Sequence, residues 1–314
     1  MRIGQNPAKY VQTVAKPERI TVAVLNYIPF QSGFYAEALE VLKVCLASVR
    51  IDAGLPFDLM VFDNGSCDEV QDWLINEQRS DHIQYLLLSG KNLGKGGAWN
   101  HIFAGAPGEI LVYADSDVQF FPGWLSRSVQ LLGVFPNVGM VTARPYRTNS
   151  DYYSQTAAWA NVTKSAALEH GSFIPWQTFF EFDLSLGQSE AEIREHYLST
   201  EDVRLSYQGI SAFAGASHWQ FTAYKSVLQR FLPFDMDRPM GQVKQLDQRM
   251  NEAGLLRLMV ADPLVMNMSN TLRGVKGQPK PAPTKKNRRL IDLPMVKGLL
   301  LRLYDKIFRW YYDR

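Results

Sequence analysis

Apolar and polar positions along this chain fall into short blocks that predict strands and helices by turns. Ile20 to Leu25 is an apolar, β-branched run and predicts a first buried strand. Asn26-Tyr27-Ile28-Pro29 ends it, because proline removes a donor and turns its predecessor away from helix. Leu39, Leu42, Cys45, Leu46 and Val49 make a helical stripe within residues 34–52. Phe57 to Phe62 predicts a second strand, closed by the turn Asp63-Asn-Gly-Ser66. A short helix capped by Ser66 or Asp68 follows, through about Asn76. Ile83 to Leu88 is the third strand. Lys91 to Asn100 is a glycine-rich turn with a helix expected from near Gly97. Ile110 to Tyr113 is continuously apolar, the mark of a strand buried on both faces. After Phe121-Pro-Gly-Trp124 a helix runs to about Gly133, and Val138 to Ala143 is a fifth strand.

This alternation argues for an α/β chain with a doubly wound parallel sheet. Residues 147–205 break the rhythm, with one helix expected at 189–197, and read as an insertion packed over the sheet's ligand edge. Strand character resumes from Ala212 to Tyr224, followed by a short helix from Lys225 to Phe231. A further helix spans Gln245 to Ala253 and is closed by Gly254. Leu255 to Val260 and Leu264 to Met268 then predict a strand pair bent at Pro263.

Composition changes this picture in two ways. Two cysteines in 314 residues are too few for a disulfide framework or a zinc cluster, which points to reduced thiols and the cytoplasm. The start of the chain lacks the apolar core of a signal peptide, and no run of about 18 apolar residues predicts a membrane span. The second change is charge. The whole chain carries +2, but residues 272–314 hold twelve Lys plus Arg against three Asp, or +9, leaving −7 for residues 1–271. An acidic body of that kind argues against nucleic acid as a partner.

The tail divides into a basic Gly- and Pro-rich linker at 272–290 and an expected helix at 291–314. Leu299, Leu300, Leu303, Tyr304, Ile307, Trp310 and Tyr311 share one broad helical face there; Arg302, Asp305, Lys306, Arg309 and Asp313 share the other. Such a helix suits an anionic membrane surface, which would make the protein peripheral on the cytoplasmic face. Docking on the body or on a second copy fits the same pattern.

The candidate chemistry starts at Asp115-Ser-Asp117, directly after the buried fourth strand. Ligands of open α/β sheets collect at the carboxyl ends of the strands. Two hard oxygen donors there suit Mn²⁺ or Mg²⁺ shared with a diphosphate; a turn that merely caps backbone groups is the plain alternative. The five histidines show no metal-ligand spacing, and only His218, in Gly215-Ala-Ser-His-Trp219, falls near the expected acceptor side. Trp99 and Trp219 read as packing residues.

Taken in order, these stretches resemble the family 2 glycosyltransferases, inverting enzymes of GT-A fold, from about Ile20 to Asn270. Asn26-Tyr27, Asp63-Asn-Gly-Ser66, Asn92-Leu-Gly-Lys-Gly-Gly-Ala-Trp-Asn100, Asp115-Ser-Asp117 and Gln245-Leu-Asp247-Gln-Arg249 carry the likeness. The resemblance implies a GT-A-type doubly wound mixed sheet in residues 1–271. It implies nucleotide-sugar contacts from Asn26, Tyr27, Asp63, Asn92, Gly94, Lys95, Asn100 and Asp115, a metal on Asp117 and Asp115, and Asp247 as general base. The donor would be a UDP-, GDP- or dTDP-sugar and the acceptor a glycan or lipid-linked glycan. Two departures stand out: Asn267 occupies the segment where the family often has a histidine, and Leu246 replaces an acidic neighbour of the base. A catalytically silent glycan- or nucleotide-binding scaffold is the competing reading. A sugar nucleotidyltransferase ranks lower, because Asn26-Tyr-Ile-Pro-Phe-Gln31 lacks a basic glycine-rich loop.

Overall fold

The computed structural model describes residues 3–238, 242–272 and Lys306. The chain divides into two compact units, Met1–Leu272 and Arg273–Arg314. The expected linker and C-terminal helix, apart from Leu272 and Lys306, lie outside the described residues.

The first half runs β1 (Ile20–Asn26), α1 (Ala38–Ser48), β2 (Asp58–Asp63), α2 (Asp68–Arg79), β3 (Tyr85–Leu88), α3 (Gly94–Gly105) and β4 (Ile110–Asp115). It continues through β5 (Val118–Phe120), α4 (Trp124–Val134) and β6 (Val138–Thr142). Then come α5 (Ser154–Val162), β7 (Ala166–Gly171), α6 (Trp176–Ser185), α7 (Glu190–Ser199) and β8 (Asp202–Tyr207). The last part is β9 (Ile210–Ala214), β10 (Gln220–Tyr224), α8 (Lys225–Gln229), α9 (Gln242–Glu252), β11 (Leu256–Met259) and β12 (Val265–Asn267).

Among the described residues one ten-stranded sheet has the order β3-β2-β1-β4-β10-β6-β11-β9-β8-β7. Strands β3, β2, β1 and β4 are mutually parallel, β10 is antiparallel to both β4 and β6, and β6 and β11 are parallel. The sheet is mixed, as the resemblance implies, and the chain is α/β. Val22, Val24, Leu111 and Val112 are wholly buried, so the sheet is covered on both faces and needs the near-continuous apolar runs seen in β1 and β4.

A single core cluster joins the elements that matter for the site. Trp99 and Phe103 of α3 meet Tyr113 of β4, Phe221 of β10 and Phe234, while Leu246 and Met250 bring α9 onto the same cluster. Ring centroids of Trp99 lie 5.3 Å from Phe103, 5.4 Å from Tyr113 and 5.3 Å from Phe234. Each such pair adds about 0.5–1.5 kcal/mol beyond its burial. Lys95 at the start of α3 and Asp247 in α9 are thus mounted on a shared rigid base.

Several boundaries differ from expectation. The run from Ala212 to Tyr224 is two strands, β9 and β10, divided by the loop Gly215–Trp219. β11 and β12 do not pair with each other: β12 pairs with β5 in a separate two-stranded sheet, because Pro263 redirects the chain across the edge of the large sheet. Residues 147–205, expected as an insertion over the ligand edge, are partly built into the large sheet. They contribute β7 and β8, which extend the sheet antiparallel beyond β9. The helix expected at 189–197 is α7, opened by a capping box between Ser189 and Glu192. α3 begins at Gly94 rather than near Gly97, and α9 begins at Gln242, which places Asp247 in mid-helix rather than at a helix start.

Candidate active site

Parallel register sets Asn26 opposite Asp63, Leu25 opposite Asp115 and Asp63 opposite Leu88, so the carboxyl ends of four strands form one edge. Asn26 and Asp63 are wholly buried. Asp63 accepts from Asn26 Nδ2 at 2.9 Å and Ser66 Oγ at 2.5 Å on one oxygen, and from Ser66 N at 3.0 Å and Gln71 Nε2 at 3.2 Å on the other. The carboxylate builds the turn from inside it. Asn26 Oδ1 is buried and accepts no hydrogen bond. Gly65, with φ +89°, packs so closely that a Cβ would lie 2.9 Å from the carbonyl carbon of Lys91, which is why the turn needs glycine. Asn64 then stitches the turn to the glycine-rich loop. Its Nδ2 donates to Asn92 Oδ1 at 3.0 Å and its Oδ1 accepts from Leu93 N at 2.9 Å, while Gly94 N donates to Asn92 Oδ1 at 2.8 Å.

Tyr27 packs edge-on against Tyr35, with ring centroids 6.3 Å apart. Asn100 faces a different task. Its Nδ2 donates to Phe234 O at 2.9 Å and its Oδ1 accepts from Phe234 N at 2.7 Å, so both ends of the amide hold a backbone segment.

Because α3 begins at Gly94, Lys95 stands in its first turn and reaches the Asp115 carboxylate at 2.8 Å. The ammonium also lies over the rings of Trp99 and Tyr113, at 5.6 and 5.4 Å. Tyr113 donates its hydroxyl to Asp115 at 2.5 Å; burial, then the Asp115 charge, raise this phenol well above its usual range and keep it a donor. Asp117, half-buried, has no such ion pair among the described residues. Burial first, and then the Asp115 charge, push it up to about 7, against the opposing pull of Lys95. Its carbonyl accepts from Met268 N at 2.8 Å, tying it to the end of β12. Asn267 lies in register with Val118, the residue after Asp117, and its Oδ1 accepts from Ser269 N at 2.6 Å.

Asp115 and Asp117 are hard oxygen donors at one strand end, the donor chemistry a divalent cation takes. Among the described residues no group of three or more His, Cys, Asp and Glu side chains could hold a metal. An ion at Asp115 and Asp117 would complete its shell with water and ligand oxygens, as Mg²⁺ commonly does.

The third group sits on the Gly215–Trp219 loop and α9. Gly215 has φ +121°, and a Cβ there would come within 2.7 Å of Thr148 Cγ2. The loop hangs between two strand ends: Ser217 N donates to Thr142 Oγ1 at 2.8 Å and Asp115 N donates to Trp219 O at 2.9 Å. Trp219, buried, stacks on Phe182 of α6 with centroids 5.6 Å apart. Asp247 takes His218 Nδ1 on one oxygen at 3.0 Å and Arg257 Nη2 on the other at 2.5 Å. Arg257, wholly buried, also donates to Ala216 O at 2.6 Å and Tyr152 O at 2.7 Å. Leu246, where an acidic neighbour is common in the resembling family, is wholly buried in the core and leaves no place for a charge. Neither Arg257 nor its partnership with Asp247 is visible in an apolar strand pattern. The available signal is one arginine inside Leu255-Leu-Arg-Leu-Met-Val260, since a strand-interior cation needs a buried acceptor.

Residues 34–184 match the family described as glycosyl transferase family 2. A curated relative, the uncharacterized glycosyltransferase alr2836 of Nostoc sp. (strain PCC 7120), is 30% identical over 126 residues, covering 39% of this chain and 35% of the relative. The chain thus spans about a third of the length of that relative. Similar solved structures include the mannosyltransferase PcManGT from Pyrobaculum calidifontis in complex with GDP-Man and Mn²⁺, at 17% identity and TM-score 0.45, covering 80% of this chain and 56% of that one. Another is S. aureus TarS 1–349, at 11% identity and TM-score 0.43, covering 79% and 59%.

Proposed function

We propose, from a chain whose residues 34–184 match glycosyl transferase family 2, that this protein is an inverting transferase that moves a sugar from a nucleotide-diphosphate donor to a hydroxyl of a glycan or lipid-linked glycan. The observation that carries the reading is the Lys95–Asp115–Asp117 group at the carboxyl end of β4, inside the matched region. The Asn26–Asp63–Ser66 turn and the Asn92–Gly94 loop flank the same edge and would shape the nucleoside pocket.

Asp117 and Asp115 would hold Mn²⁺ or Mg²⁺, which would supply Lewis-acid charge to the departing diphosphate. Lys95 keeps Asp115 oriented and adds positive charge at the same spot. Tyr113 fixes the other side of Asp115 by its hydroxyl. The Asp247–His218 pair supplies the group that takes the acceptor's proton, and residues 147–205 would supply the acceptor side, anchored to the His218 loop by the buried Phe182–Trp219 stack.

The test is a hydrolysis screen of UDP-, GDP- and dTDP-sugars with Mn²⁺. Turnover of at least one donor is expected, with loss of about 100-fold or more on chelation or in Asp117→Ala. Unchanged turnover under both treatments would remove the metal assignment. Asn267, in register with the residue after Asp117 and with its amide oxygen already engaged, favours the silent-scaffold reading. Calorimetry with nucleoside diphosphates separates the two, since a scaffold need show no Mn²⁺-dependent binding.

A further inference from the structure

We propose that the base of this site is His218, and that Asp247 is the residue that positions it; the inference rests on the transferase reading above. Both oxygens of Asp247 are engaged, one by Arg257 and one by His218, and its side chain is 6% exposed against 29% for His218. For Asp247 to meet an acceptor hydroxyl it would have to release one partner. Releasing Arg257 strands a guanidinium that is wholly buried, and releasing His218 requires the imidazole to vacate the exposed side. Asp247 is also fixed in place, in the middle of α9, with Leu246 and Met250 anchored in the core.

Hydrogen-bond chemistry then assigns the imidazole. A carboxylate ion-paired to arginine only accepts, so the contact at 3.0 Å makes His218 Nδ1 the donor. In the neutral ring the lone pair is left on Nε2, the nitrogen a base requires. Location agrees with this role. The carbonyl of Trp219, the next residue, is bonded to Asp115 N, which sets His218 beside the end of β4 where the donor's diphosphate is expected. On its other side the buried Trp219 stacks against buried Phe182 of α6, which anchors the His218 loop to residues 147–205, the proposed acceptor side. His218 therefore stands between the two reactants, on a loop whose shape depends on Gly215.

In the step, the acceptor oxygen bonds to the anomeric carbon while the bond from that carbon to the diphosphate oxygen breaks, its electron pair staying with the diphosphate. The acceptor's proton passes to His218 Nε2. Asp247 touches no reactant: it fixes the ring's tautomer and plane, and Arg257 fixes Asp247.

The closing experiment combines NMR of ¹⁵N-histidine protein with kinetics of donor hydrolysis, water serving as acceptor. Neutral His218 is expected to carry its proton on Nδ1 with Nε2 bare, and Asp247→Asn is expected to change that distribution. His218→Ala is expected to lower kcat about 10²–10⁴-fold, with binding of the nucleoside diphosphate and Mn²⁺ unchanged by calorimetry and partial recovery on adding imidazole. A proton on Nε2 in the wild type, or wild-type kcat in His218→Ala with binding intact, overturns the proposal alone. Absence of any nucleotide binding or turnover in the wild type overturns the transferase reading and this inference together. Should Asp247→Asn not fold, the wild-type spectrum and the His218 variant still decide.

Discussion

Asp117 holds a charge that the folded chain by itself disfavours. Its carboxyl is raised from about 4 to about 7, so in metal-free protein the folded state keeps a proton that the unfolded state has already released. Stability of chelator-treated protein is therefore expected to fall as pH rises from about 4 to about 7. Asp117→Asn should flatten that fall and raise Tm at pH 8, and Mn²⁺ should raise Tm in the wild type more than in the variant. Scanning calorimetry across pH checks both. That Asp115 and Asp117 sit at the carboxyl end of a buried strand was legible in the sequence, because a run of apolar residues leads straight into them. The placement of Asp63 was not. Its carboxylate reads as a ligand contact in a turn motif, yet four donors from Asn26, Ser66 and Gln71 surround it. Which way a turn carboxylate faces depends on residues distant in sequence, which a local pattern does not contain.

At the scale of elements, β11 and α9 are joined by the Arg257–Asp247 pair, and the coupling has a measurable sign. Arg257→Leu alone should cost about 3–5 kcal/mol, because it leaves a buried carboxylate without its cation. Replacing both residues with leucine should recover most of that stability while transfer stays lost; denaturant unfolding beside donor hydrolysis reads the two effects separately. The strands of the first half were legible because parallel, doubly covered strands must be apolar throughout. The elements of residues 147–205 were less so. β7 is an edge strand with exposed and half-buried positions, and its alternation is too weak to announce a strand without its partner β8. The pairing of β12 with β5 was likewise hidden, since strand partners separated by more than a hundred residues leave no mark on either sequence.

For the whole molecule the informative quantity is the division of charge, +9 in residues 272–314 against −7 in the rest. Among the described residues no helix is long and apolar enough to cross a membrane. The basic, amphipathic sequence pattern of the tail leads us to expect co-sedimentation with anionic vesicles that weakens with salt and is lost on truncation after Leu272. Equal sedimentation of full-length and truncated protein would refute this. The order of the strand and helix blocks in the first half, and with it the α/β class, could be read from periodicity, whereas the mixed sheet came only with the resemblance. The antiparallel entry of β10 between β4 and β6 could not, although it delivers His218 to the edge.

Cys45 lies wholly buried under that edge, its Sγ 3.9 Å from the carbonyl oxygen of Asp115. Burial, and then the negative field of Asp117, hold the thiol far above its usual titration range. Since only the thiolate is readily alkylated, the folded protein should be silent to iodoacetamide at this position. Modification then becomes a clock for the opening of α1 away from β4. Mass spectrometry of labelled peptides would time that opening, and a nucleoside diphosphate with Mn²⁺ should slow it while leaving half-buried Cys67 unaffected. The molecule carries, beneath its carboxylates, a reporter of how often its own ligand edge comes apart.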